Sequence, residues 1–187
     1  VLTDINNTAA AIDFVRLCKE VGIKPIVGVD FRNGNDQQYV ILALNNKGFA
    51  EINEYLSQWL MADEAFPPEA PVFNQAFVIY PFEKAPRKKL AENEFIGIQP
   101  AQLVKLKFSD WKKHTRKMVI LQPQSFRHKK DFNTHRLLRA INQNTLLSKL
   151  TAEEQGSPQD LYTPPSELKK TFAEFPEIVA NTQRILN

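Results

Sequence analysis

Residues 24–44 read KPIVGVDFRNGNDQQYVILAL, and their reading decides what the rest of the chain can be. The run from Lys24 to Phe31 is short, apolar and β-branched, as a strand requires. Asn33, Gly34 and Asn35 follow, a turn signal of the kind that closes β-hairpins. Gln38 to Leu44 then forms a second apolar run that hardly alternates. A strand of that type is expected to be buried on both faces.

Upstream, LTDINN (residues 2–7) places Asp4 at a strand end, with Ile5 beside it and Asn7 placed to cap a helix. Ala11, Phe14, Val15 and Cys18 recur at i, i+3, i+4 and i+7 and define one helix face, which Gly22 ends. Downstream, Asn45 or Asn46 caps a further helix with Phe49, Ile52, Leu56 and Leu60 on its inner side. EAFPPEAPVF (residues 64–73) is a proline-rich loop. Three apolar runs follow, FVIYP (77–81), FIGIQP (95–100) and MVILQP (118–123), each ended by a proline that cannot donate to a sheet ladder. Parallel strands with crossovers would give this rhythm, and so would a sheet closed into a barrel. In either, function sits where strands end, at Asp4, Asp30, Tyr80, Gln99 and Gln122. A helix at 131–141 and two more from Ser166 and Pro176 finish the chain. The core is expected to include Phe14, Ile26, Val40, Leu42, Ile79, Ile120 and Leu138.

Composition sets further limits. Of 187 residues, 43% are hydrophobic and 24% charged, the balance of a soluble globular protein. No apolar run approaches the roughly 18 residues of a membrane span. The single cysteine, Cys18, excludes an internal disulfide and fits a reducing, cytoplasmic setting. Net charge is only +3, but residues 105–139 hold 11 Lys or Arg against Asp110 and Asp131. Lys112, Lys113, Arg116 and Lys117 in that segment, interleaved with Phe108, Trp111, Phe126 and Phe132, are candidates for contact with nucleic acid. The simpler reading turns the aromatics inward and leaves the charges solvated. Glycine-rich phosphate loops, zinc-type cysteine pairs and a nucleophile elbow are all missing. His114, His128 and His135 form no close metal-ligand pair, and a solvated histidine is the default for each.

The order of motifs nevertheless resembles one family. LTDINN, GIKPIVGVDF (22–31), ILALNNKGFAEINEYLS (41–57), HRLLRAI (135–141) and PPSELKKTFAEFPEIVANTQRI (164–185) are similar, in that order, to the amino-terminal region of the bacterial DNA polymerase III alpha subunit. That region is a PHP (polymerase and histidinol phosphatase) domain followed by helices leading to the polymerase palm. The likeness is strongest in residues 1–60 and 131–187. It implies an α/β fold, a distorted parallel β/α barrel, amino-terminally truncated. Residues 1–145 would form the barrel without its first strand and 146–187 a helical linker toward the palm.

Active members of the family hold divalent metals, such as zinc or manganese, on histidines and acids at the strand ends, for phosphoester hydrolysis. Their first motif reads Thr-Asp-His, where this chain has Thr3, Asp4 and Ile5. Their next ends in glutamate, where this chain has Asp30. A late motif, Asn-Asp-x-His, lies ten residues before a helical histidine. Counting back from His135 puts Pro123 and Ser125 at its acid and histidine. Asp4, Ile5, Asp30, Pro123 and Ser125 therefore mark a vestigial site, and neither catalysis nor a metal cofactor is expected of this chain. It would serve as scaffold for the palm and thumb of a DNA-directed DNA polymerase in replication, with a proofreading exonuclease subunit as a partner by analogy. Two rivals follow from the same residues. One is a working metal-dependent phosphoesterase or 3'-5' exonuclease that uses Asp4, Asp30, Gln99 and residues upstream of Val1 as replacement ligands. The other is a nucleic-acid-binding module built on the basic segment.

Overall fold

The computed structural model describes residues 1–187 and divides into two compact units, Val1–Leu121 with Phe175–Asn187, and Gln122–Glu174. The first unit is built on a six-stranded sheet in sequential order. Its strands are β1 (Leu2–Ile5), β2 (Val27–Asn33), β3 (Asp36–Ala43), β4 (Ala76–Pro81), β5 (Glu94–Ile98) and β6 (Met118–Ile120). β1 and β2 pair in parallel, as do β4, β5 and β6, but β3 is antiparallel to both its neighbours. The sheet is thus mixed and open, where a parallel barrel was expected. Its reason lies in the opening stretch. Only Gly34 and Asn35 separate β2 from β3, and of the two only Gly34 has positive φ, at 61°. That is the type II′ pattern, and so short a turn can join only antiparallel strands.

Each face of the sheet has its own core. On one side Val29, Phe31, Tyr39, Ile41, Val78 and Tyr80 pack with Ile52 and Leu56 of α2 (Asn46–Ala62) and with Phe66 and Phe73 of the proline-rich loop. On the other side Val40, Leu42, Ile79, Phe95 and Val119 pack with Ile185 of α6 (Pro176–Leu186). β3 is therefore buried on both faces, as its lack of alternation requires. Gly28 allows β2 to pass close to β3, because a β-carbon there would lie 2.0 Å from the Ile41 carbonyl oxygen.

α6 also seals the β6 edge. Thr182 Oγ1 accepts the Ile120 N–H at 2.8 Å, and Asn181 Nδ2 donates to the Met118 carbonyl at 3.0 Å. These are the groups of β6 that point away from β5. Pairing an open edge in this way removes unsatisfied backbone from the sheet rim. The compact units consequently do not part at 145/146, since the last helix belongs with the sheet.

Asn45 caps α2 by accepting the Lys47 and Gly48 N–H groups. After α1 (Ala11–Glu20), Gly22 takes φ 68°, and Ile23 N–H and Gly22 N–H bond to the Cys18 and Lys19 carbonyls, a Schellman ending. Asn7, in contrast, does not cap α1 but folds a turn onto the Ala9 N–H. Leu60 is exposed because Trp59, not Leu60, continues the line of Ile52 and Leu56 at 100° per residue. Phe14, Ile26 and Ile120 are half-buried.

The second unit contains α4 (Lys129–Asn142) and α5 (Pro165–Thr171), with Phe126 bridged to Leu161. Leu138 of α4 is 60% exposed, against expectation. The buried position of that helix is Ala140, and two residues displace a side chain by 200° around the axis. A short α3 (Leu103–Lys107) completes the helices, in the first unit. No helix is long and apolar enough to cross a membrane.

Two outcomes follow. Leu42→Ala is expected to cost ~2–5 kcal/mol in urea unfolding, and Leu138→Ala within about 0.5 kcal/mol. Burial pushes the phenols of Tyr39, Tyr55 and Tyr80 up, and the Glu94 charge adds to this at Tyr80. An acid with a raised folded pKa stabilises the fold below its unfolded value and loses that contribution as pH rises past about 10. The tyrosinate absorbance of these rings should therefore grow in step with loss of far-ultraviolet circular dichroism.

Candidate functional site

All strands but β3 run the same way, so the C-terminal ends of β1 and β2 lie together. The register pairs Ile5 with Asp30 and Asp4 with Val29. Side chains of paired residues share a face, and neighbours in a strand alternate. Ile5 and Asp30 thus stand side by side on the face that carries Val40 and Ile79, while Asp4 faces the α2 side.

Asp30 is buried, and its carboxylate is satisfied from within the chain. Arg32 Nε and Nη2 donate to Oδ2 at 3.0 and 2.6 Å, and Gln37 Nε2 donates to Oδ1 at 2.9 Å. Arg32 lies two residues on in the same strand, so it shares the face of Asp30. Gln37 reaches that face through a bulge. Asp30 pairs with Val40 and Arg32 with Gln37, and residues 37 and 40 can share a face only because the register shifts between Phe31 and Arg32. Asn6 completes the arrangement. It adopts φ 49°, donates Nδ2 to the Arg32 carbonyl at 2.8 Å and accepts the Arg32 N–H on Oδ1 at 2.9 Å. Its side chain extends the β1–β2 ladder by one rung and fixes the residue that neutralises Asp30.

Ile5 is 52% exposed, and its side chain offers no donor atom for a cation. Asp4 does not cap α1, whose N-cap is Ala10. Asp4 and Asp30 project from opposite faces of the sheet. Nowhere are three His, Cys, Asp or Glu side chains grouped to hold a metal ion.

Pro123 and Ser125 belong to the second unit. There the Ser125 N–H donates to the Asp160 carbonyl, and Gln124, Ser125, Phe126, Arg127 and Tyr162 line a shallow depression. His135 is not a solvated histidine. Its Nε2 accepts the Gly156 N–H at 3.0 Å, and its ring packs 5.2 Å from Phe126. His128 is exposed and starts α4, its N–H bound to Asp131.

The basic segment splits into structural and free charges. Lys117 donates to the Ala91 and Glu92 carbonyls at 2.7 Å and lies over the Phe95 ring, and burial pulls its ammonium pKa down. It is thus a strut rather than a phosphate ligand. Arg116 is exposed, 3.9 Å from Glu177. Lys112 and Lys113 are exposed and unpaired. Phe126 is buried and Phe132 half-buried, but Phe108 is 85% exposed, so the expectation that the aromatics point inward fails there.

Asn6, Arg32 and Gln37 were not anticipated. The spacing of Asp30 and Arg32 along a strand could have revealed their pairing, whereas the bulge that delivers Gln37 leaves no sequence mark.

An α/β protein whose strand ends gather at one margin of an open mixed sheet, with an acid on the second strand, has a layout that many activities share. The profile of the PHP domain family matches residues 1–108, more than half of the chain, and the protein belongs to that family. No curated protein matches the sequence.

Removing the partner of a buried carboxylate leaves an uncompensated charge. Arg32→Met is expected to destabilise the chain by about 3–5 kcal/mol. Arg32→Met with Asp30→Asn should recover much of that loss in the same urea titration.

Proposed function

We propose that this PHP domain is the scaffold of a bacterial replicative DNA polymerase, the DNA polymerase III alpha subunit, and that its own phosphoesterase site is out of use. The polymerase assignment is supported by five motifs that follow that family's order, from LTDINN to the helices at 164–185. The inactive site is supported chiefly by the state of Asp30, whose two oxygens are engaged by Arg32 and Gln37. A metal would have to displace a guanidinium from that carboxylate, with Ile5 beside it contributing nothing. Catalytic metals need several donors held by an oriented surrounding, and Ile5, Pro123 and Ser125 remove two imidazoles and a carboxylate from the family's set. Asn6 and Arg32 then act as internal replacements for the missing cation: they hold the strand ends in place without one. The domain's role is to present a rigid sheet to the palm and thumb of its own chain and a surface to a separate proofreading exonuclease.

The purified chain is expected to carry no stoichiometric zinc, manganese or iron by elemental analysis and to hydrolyse no phosphoester. Ile5→His alone should restore neither. Ile5→His, Asp30→Glu, Pro123→Asp and Ser125→His with Arg32→Ala, which frees the carboxylate, is the combination in which metal uptake is to be sought. The full-length gene product should extend a primed template. Chelator-sensitive hydrolysis by the wild-type domain, with no primer extension by the full-length product, would overturn the reading in favour of an active phosphoesterase.

A further inference from the structure

The stretch 103–116 of the first unit exposes aromatic and basic side chains close together in sequence. Phe108, the residue after α3, is 85% exposed and packs on no other ring. Val104, one turn earlier, is exposed as well. Trp111 is 39% exposed and is held edge-on by Phe82 at 6.4 Å and by His114 at 6.1 Å. Two rings thus stand out in solvent within four residues, one free and one braced. Around them, Lys112 and Lys113 extend from a single 3-10 turn with no partner, and Arg116 follows, 91% exposed at its side chain and 3.9 Å from Glu177. Asp110 is the one acid within this stretch. Lys105 is engaged by Glu83 at 2.9 Å and Lys117 by backbone carbonyls, so neither is needed for the surface to be basic.

The geometry points to a binding surface for single-stranded nucleic acid, in which Phe108 and Trp111 stack on unpaired bases while Lys112, Lys113 and Arg116 contact the backbone phosphates. The pairing of exposed rings with exposed cations selects this ligand. An acidic peptide would satisfy the cations but has no use for open π-faces. A duplex would offer phosphates but keeps its bases stacked on each other. Sequence-tolerant stacking with phosphate contact is the common mode for single strands. The inference rests on this surface and not on the polymerase reading, and it replaces Lys117 of the original candidates with the two aromatics.

The test uses the whole chain with Trp59→Phe, so that Trp111 is the only tryptophan, titrated with oligothymidylate at low salt. Binding should quench Trp111 fluorescence. Phe108→Ala should weaken it about tenfold, Phe108→Trp should retain it, and Phe108→Leu should behave like alanine. With three phosphate contacts, log K should fall with log salt at a slope of about −2, and Lys112→Glu with Lys113→Glu should flatten this to about −0.7. Oligouridylate run in parallel identifies which strand chemistry is preferred, and binding of either supports the proposal. It is overturned if quenching is absent, if Phe108→Leu binds as well as Phe108→Trp, or if a duplex binds as tightly as the single strand. Equal quenching by polyglutamate would instead identify an acidic-peptide surface. The Phe108 variants alter an exposed side chain, and unchanged circular dichroism will show that each is folded.

Discussion

The turn at Gly34 and Asn35 leaves the chain no choice of direction. Two residues cannot carry it across a sheet, so β3 must return alongside β2 in the opposite sense. Once β3 lies there, β4 on its far side regains the original direction, and the C-terminal ends of β1, β2, β4, β5 and β6 come to one margin. β3 becomes an interior strand covered by α2 on one face and by the β5–β6–α6 side on the other. Its unbroken apolar run from Tyr39 to Leu42 is the composition that this position demands. The approach of β2 to β3 is close enough that only glycine is tolerated at position 28.

At the margin, electrostatics sets the outcome. A carboxylate taken from water must find a counter-charge, and an incoming metal and an internal guanidinium compete for that role. In this chain the guanidinium is covalently attached two residues away, so it is always present at the carboxylate. Asn6 holds the Arg32 backbone in register, and the Gln38 bulge turns Gln37 inward to take the second oxygen. A carboxylate so enclosed has little left to offer a cation.

Much of this was legible in advance, and the misses are instructive. The hairpin, the doubly buried strand, the Asn45 cap and the Gly22 ending follow from rules that act within a few residues, so sequence shows them. The parallel sheet was expected from the rhythm of three proline-ended runs, although the Asn33–Asn35 turn already required one reversed strand. There a local rule was outweighed by a global pattern, and the local rule held. Asn6, Asn181 and Lys117 bond to backbone 25 to 66 residues away. Such bonds depend on where the fold brings distant carbonyls, which periodicity cannot report. At the candidate site the identities of Ile5 and Asp30 were evident, but the opposite orientation of Asp4 emerges only from the register with β2. Phe108 escaped because apolar residues are expected to be buried, and nothing in its neighbours marks it as an exception.

The clasp between α6 and β6 makes the second unit, 122–174, an insertion. The chain leaves the sheet after Leu121 and rejoins the same unit at Phe175. Closing a long excursion costs only logarithmically more than closing a short one, so the sheet's stability is nearly indifferent to how much chain is looped out. The two units can therefore diverge under separate selection. A change of length within 122–174 leaves the sheet intact, provided that Asn181 and Thr182 still find the β6 edge.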